Sequence, residues 1–144
     1  MNNIKIRKLK MEDAAEICKI NAEGLGYKCD LLLVQRKITN LDWKREAVFV
    51  AEVDGIVVGN CHVERYDVLY FETMANVLGL SVKKEYQKQG VGKALLLAAE
   101  NWAIENGIKM MRLNSGMNRT DAHQFYEHLG YVSEKDQKRF VKQL

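Results

Sequence analysis

The chain has 144 residues, 47% of them apolar, enough to bury about two-thirds of its unfolded surface in one core and too few for a second domain. Its 22 basic and 19 acidic residues leave a net charge of +3 with the lysines scattered along the chain, which argues against a nucleic-acid platform. The longest apolar run, Val91 to Ala99, is broken by Lys93 and is far short of a membrane span, and the N-terminus has no apolar leader segment. Residues 1–144 are therefore expected to form a single domain. Cys18, Cys29 and Cys61 cannot all pair within one chain and show no CxxC spacing, so a reduced, cytoplasmic setting is the simpler expectation.

In chain order, Ile4, Ile6 and Leu9 alternate with basic residues and predict a first strand, after which Glu12 and Asp13 supply the acidic first turn of a helix. Ala14, Ile17 and Cys18 form that helix's apolar stripe, and Gly24 and Gly26 break it. A second helix runs from Leu31 to Ile38 behind Asp30 as N-cap. Ala47 to Val53 and Ile56 to Val63 are rich in Val and Ile, and Asp54-Gly55 between them is a strong hairpin signal. A polar and aromatic connection containing Tyr66, Asp67, Tyr70, Phe71 and Glu72 leads to a strand over Val77 to Val82. A helix over 90–106 carries Val91, Ala94, Leu95, Ala98 and Trp102 on one stripe. Met110, Met111 and Leu113 predict a strand, Asn118 a capped helix to Leu129 stopped by Gly130, and Phe140 with Val141 a last strand.

Between the Val82 strand and the following helix lies Gln87-Lys88-Gln89-Gly90-Val91-Gly92-Lys93. Small residues here let the backbone approach an anion, and the N–H groups of the helix start, with the positive end of its dipole, suit a diphosphate. A P-loop would need glycine at Gln87 and Ser or Thr at Ala94, and a dinucleotide fingerprint would need glycine at Leu95. Neither fits, which leaves another phosphorylated cosubstrate.

Taken together, the order strand, cradle, helix, strand and then Asn118 with Asp121 to Tyr131 resembles the GNAT superfamily of acetyl-CoA-dependent N-acetyltransferases. Its Q/R-x-x-G-x-G/A motif matches Gln87, Gly90 and Gly92. Its N-x-x-A-x-x-x-Y-x-x-x-G-F/Y pattern matches Asn118, Ala122 with a one-residue shift, Tyr126, Gly130 and Tyr131. One departure is Lys84 where family members commonly carry proline. The resemblance implies a mixed α+β fold, with a central twisted sheet of about six or seven strands flanked by about four helices. A parallel strand pair would splay to form the coenzyme A cleft. By the same resemblance, the main chain at Leu80 and Val82 binds the pantetheine arm, amides from Gln87 through Lys88, Gln89, Gly90, Val91 and Gly92 to Lys93 hold the pyrophosphate, and Asn118 binds the pantetheine side or caps its helix.

Acetyl transfer from a thioester to an amine needs a neutral nucleophile, charge stabilisation at the carbonyl oxygen and a proton for the departing thiolate. An alkyl ammonium, with a pKa of roughly 10.4, must first lose its proton. Tyr126 is the candidate acid by resemblance, because a phenol of pKa about 10 can donate to a thiolate of about 8.5. The same residue lies on an apolar stripe with Ala122, Phe125 and Leu129, as any packed helix would show. Glu72 is the first candidate base and Glu64 the second. His123 and His128 are five apart on a helix and do not share a face for metal binding, and with His62 elsewhere no metal is expected. Acids and aromatics in Glu23 to Asp30 and Tyr66 to Asn76 would suit a small-molecule or peptide amine acceptor. The competing class is a coenzyme A-binding sensor without transfer, and Phe140 with Val141 on an edge strand would offer a homodimer seam.

Overall fold

The structure, a computed structural model, describes residues 3–144. These fall into two compact units, one ending at Leu113 and a second comprising Asn114–Leu144.

The first unit is built on a five-stranded sheet of order β1-β2-β3-β4-β5, with β1 at Ile4–Lys8, β2 at Glu46–Val53, β3 at Ile56–Val68, β4 at Phe71–Val82 and β5 at Met111–Leu113. The first four strands are antiparallel neighbours, and β5 pairs parallel to β4. Asp54 and Gly55 make the β2–β3 turn with φ of 52° and 77°, the two-residue conformation whose twist matches a hairpin. The sheet's two faces are set by strand alternation. Gly59, Cys61 and Val63 of β3 face α3, Val91–Glu105, whose buried Val91, Leu95, Leu96 and Ala99 close the core on that side.

Asn60, His62, Glu64 and Tyr66 face the opposite side, where α1, Ala14–Leu25, packs on β3 and β4, and α2, Leu31–Thr39, packs on α1. On this face Asn60 Nδ2 donates to Asn21 Oδ1 at 2.9 Å and Ser81 Oγ to the Ile20 carbonyl at 3.2 Å, locking α1 to the two central strands. A smaller cluster of Leu9, Ile17, Val48 and Val50 is sealed by Val34, Ile38 and Leu41 from α2 and its C-terminal turn. Asp30 caps α2 as expected, accepting from Leu33 N–H at 3.1 Å. The expected acidic turn at Glu12 and Asp13 forms, but Asp13 is buried and grips Arg7 through two 2.8 Å bonds.

Several expectations change. The polar segment around Tyr66 is not a connection: β3 and β4 extend through it as a long hairpin, with only Leu69 and Tyr70 between them. Asp67, which reads as a loop residue, instead accepts from Thr73 across the hairpin and from Arg45 at 3.2 Å. The expectation of reduced thiols also fails, because Cys18 and Cys29 form a disulfide with Cα atoms 5.3 Å apart. Gly26, at φ 79°, ends α1 in a left-handed turn that sends the chain back alongside it, a juxtaposition no CxxC spacing would signal.

The second unit contains α4, Thr120–His128, and residues 131–144 carry neither helix nor strand. The last strand expected at Phe140 and Val141 does not form. Those residues and Val132 are largely exposed, and the polar run between them lacks the alternation that would bury one face. The described sheet therefore has five strands rather than six or seven, and the dimer seam expected on a terminal edge strand loses its strand.

Candidate active site

β4 and β5 pair only over Ala75↔Met111, Asn76↔Arg112 and Val77↔Leu113. Beyond Val77, β4 runs on to Val82 with no strand on that side among the described residues. The register with β3 jumps from Val63↔Val77 to His62↔Gly79, so Leu78 is a bulge at the point where the parallel pairing stops. Lys83 N–H donates to Val58 O at 2.8 Å, toward β3. By alternation Ser81 also faces β3, while the main-chain groups of Leu80 and Val82 face the vacated side. Val82 O agrees with this, because it accepts from the Gln87 side chain at 3.1 Å. The edge is a ready template for one more extended chain.

The cradle follows this edge. Lys84–Tyr86 form a short helical turn, Lys88 has φ 61° and Gly90 has φ 90°, both left-handed, and α3 starts at Val91. Only Gly tolerates the Gly90 conformation without cost. Ala94 N–H is the first of α3 to reach back, to Gly90 O at 3.0 Å, so those of Val91, Gly92 and Lys93 precede the helix ladder and suit an anion. The Gln87 amide is already turned onto Val82, and Gln89 Nε2 donates to Glu85 O at 3.1 Å, which stiffens the loop from both sides.

On the α1 face, beside the end of the parallel pairing, lies a polar chain across three strands. Glu64 Oε2 accepts from Asn76 Nδ2 at 2.9 Å, Asn76 Oδ1 accepts from Arg112 Nη1 at 2.9 Å, and the Arg112 guanidinium sits 4.2 Å over the Tyr66 ring. Glu64 is half-buried and Asn76 is buried. Sequence reasoning missed Asn76 and Arg112, since 36 positions separate them and only sheet register joins them. Further along the same face His62 Nε2 meets Glu46 Oε1 at 2.7 Å. Among the described residues no group of three or more His, Cys, Asp or Glu is placed to hold a metal ion, and no helix is long and apolar enough to cross a membrane.

Glu72, the first candidate base, is exposed next to the hairpin tip. It stands eight positions before Leu80, roughly 26 Å along the strand, so the structure does not bring it to the vacated edge. Glu64 pairs across the strands with Asn76, four positions before Leu80, and so lies nearer that edge than Glu72. In the second unit Tyr126 is half-buried, with its ring 5.3 Å from Phe125 and 6.0 Å from Tyr131. Asn118 is exposed and precedes α4 by two positions, and Arg119 rather than Asn118 holds the N-cap position. A helix-capping role for Asn118 is thereby set aside.

A family model described as an acetyltransferase (GNAT) domain matches residues 44–133. An uncharacterized N-acetyltransferase of Chlorobaculum tepidum is 28% identical over 129 residues, covering 88% of this chain and 74% of that protein. Another, of Archaeoglobus fulgidus, is 24% identical over 131 residues, covering 85% of this chain and 89% of that one. Among solved structures, the aminoglycoside N-acetyltransferase AAC(6')-Iy in complex with CoA is similar with a TM-score of 0.85 at 19% identity, covering 100% of this chain and 97% of that one. A transcriptional regulator from Bacillus halodurans is similar with a TM-score of 0.86 at 20% identity, covering 97% and 100%. Likeness at that identity concerns the fold, whereas the family match takes in most of the chain, cradle and central strands included, and on it this chain belongs to the GNAT acetyltransferase family.

Proposed function

We propose that residues 1–144 work as one N-acetyltransferase domain that moves an acetyl group from acetyl-CoA to a primary amine of a small molecule or peptide. The observation that best supports this is the vacated β4 edge from Leu78 to Val82 leading into the Gln87–Lys93 cradle. The residues fit the cosubstrate. Main-chain groups of Leu80 and Val82 can pair with the amides of a pantetheine arm as a strand would, and the N–H groups of Val91, Gly92 and Lys93 suit its pyrophosphate. Lys88 and Lys93 add positive charge there, and Asn118 keeps its assignment to the pantetheine side by family resemblance.

Acetyl-CoA supplies an activated acetyl carbon with a thiol leaving group. Leu80 N–H, on the vacated side, binds the carbonyl oxygen as negative charge grows on it. Glu64 replaces Glu72 as base. Held by Asn76, it accepts a proton from the incoming ammonium, directly or through one water, and frees the nitrogen lone pair. The C–N bond forms as the C–S bond breaks and the nitrogen sheds its second proton to solvent, while Tyr126, by family resemblance, gives its phenolic proton to the sulfur and regains one from solvent. The amine has then exchanged a proton for an acetyl group, and the thioester has become a thiol. The aminoglycoside N-acetyltransferase fold relatives lend support to a small-molecule amine as acceptor.

The alternative, coenzyme A sensing without transfer, draws on the fold's likeness to a transcriptional regulator. Free-thiol release from acetyl-CoA over a panel of amines separates the two. Transfer predicts thiol release with some amine, a loss of roughly a hundredfold in turnover for Glu64→Gln and of tenfold or more for Tyr126→Phe, and wild-type turnover for Glu72→Gln. Tight binding with no thiol release on any amine would establish the sensor.

A further inference from the structure

We propose that the cleft between the last turn of α2 and the start of β2 is a subsite for a carboxylate carried by the acceptor amine. The proposal deepens the amine-transfer reading and rests on it. The cleft has a volume of about 320 Å³ and is lined by Arg36, Lys37, Asn40, Leu41, Glu46 and His62, room for a small organic group.

The charge in this cleft is what selects the ligand. Glu46 is the one acid in the lining, and both its oxygens are committed, Oε1 to His62 Nε2 at 2.7 Å and Oε2 to the Asp42 N–H at 3.1 Å. Arg36 and Lys37 form no ion pair among the described residues. Two cations therefore face the cleft, and Asn40 adds an amide able to donate. Their place in the last turn of α2 complements the helix dipole, which accounts for basic residues there but not for a cleft between them and the His62–Glu46 pair. Both cations line one cleft, and a guanidinium there can take a carboxylate bidentately while the ammonium adds a point charge.

The cleft also lies where an acceptor would reach the chemistry. His62 pairs across the strands with Gly79, the residue before Leu80, and shares its sheet face with Glu64. A molecule anchored by its carboxylate at Arg36 and Lys37 would extend its amine along this face toward Glu64 and Leu80. The same two cations would repel an acceptor bearing several positive charges. The substrate class is thus an amino acid-like or peptide-like zwitterion rather than a polyamine.

The test is a titration of the intact protein, followed by NMR of its backbone amides, with 4-aminobutanoate, 6-aminohexanoate and 8-aminooctanoate, their methyl esters, and 1,6-diaminohexane. The expected result is that at least one amino acid perturbs Arg36, Lys37, Asn40 and Glu46 and binds about tenfold or more tightly than its ester and than the diamine. In the Arg36→Gln, Lys37→Gln double variant, that preference is lost with the melting temperature unchanged. Equal binding of acid and ester, perturbation confined to other residues, no binding by any of the three acids, or a preference that survives in the double variant overturns the proposal. Because these readouts are binding, thiol release in the same samples judges acetyl transfer separately, and either can fail alone.

Discussion

Asp13→Asn is expected to destabilise the protein by about 2–3 kcal/mol at neutral pH, a figure that follows from how Arg7 is held. The Asp13 carboxylate takes two 2.8 Å bonds from the Arg7 guanidinium and a third, also 2.8 Å, from Lys10 N–H. Removing one partner of a buried pair typically costs about 3–5 kcal/mol. The lower figure applies because Arg7 keeps Glu52 at 2.7 Å and asparagine can still accept a bond. For a chain of this size that is a fall in melting temperature of about 4–12 °C. Asp13 sits at the start of α1, whose Ile20 carbonyl takes the Ser81 hydroxyl of β4, so the same variant loosens the layer beneath the vacated edge.

The pH dependence has a definite sign. The hydrogen bonds from Arg7 hold the Asp13 carboxyl below its ordinary value against the opposing effect of burial. A carboxyl depressed on folding contributes stability that is complete above its unfolded value of about 3.9 and is lost as pH falls through the lower folded value. Urea denaturation of wild type and variant should therefore differ most at pH 7 and converge below about pH 4, with equal slopes. Equal midpoints at pH 7, or a gap that widens on acidification, would refute the reasoning.

Reducing the Cys18–Cys29 disulfide, or replacing Cys29 with serine, should cost about 3 kcal/mol, because the closed loop is short and the gain is mainly loss of unfolded-state freedom; unchanged melting in reductant would count against it. The native protein should show no reactive thiol, and reduction should expose Cys29 alone, since Cys61 is buried with its thiol pushed up to about 12. Gly59→Ala should cost about 1–3 kcal/mol, because an added Cβ would stand 2.9 Å from Ser81 O and 3.1 Å from Leu95 Cδ1, and the main-chain oxygen cannot simply rotate away. A neutral or stabilising effect in chemical denaturation would show that β3 and α3 have slack there.

Signals that act within a few residues were legible. Asp54-Gly55 dictated its hairpin, Asp30 its cap, and the stripe from Val91 to Trp102 its helix, since each depends on local backbone preference or a helical period. The glycine turn at Gly90 that starts that helix was legible for the same reason. What lay beyond reach depends on register. Asp67, Tyr70 and Glu72 made the stretch from Tyr66 read as a connection, yet cross-strand partners such as Thr73 and Arg45 make those polar residues compatible with a long hairpin. That extension puts Glu72 at the tip and joins Glu64 to Asn76. The Cys18–Cys29 pairing needed the left-handed turn at Gly26. Asn118 looked like a cap because of its residue type, but the helix begins one position too late for it.

The central claim, that acetyl-CoA lies on the β4 edge with its pyrophosphate at Gly90, is tested most directly by isothermal titration of wild type and Gly90→Val with acetyl-CoA. Valine at φ 90° is strained, while the nearest atom its Cβ would meet beyond its chain neighbours is Ile4 Cδ1 at 4.0 Å, so the loop must move while the core stays folded. The account predicts saturable 1:1 binding to wild type, and affinity at least about tenfold weaker in a variant that still melts cooperatively. Absence of binding to wild type, or equal affinity in the two proteins, would contradict it.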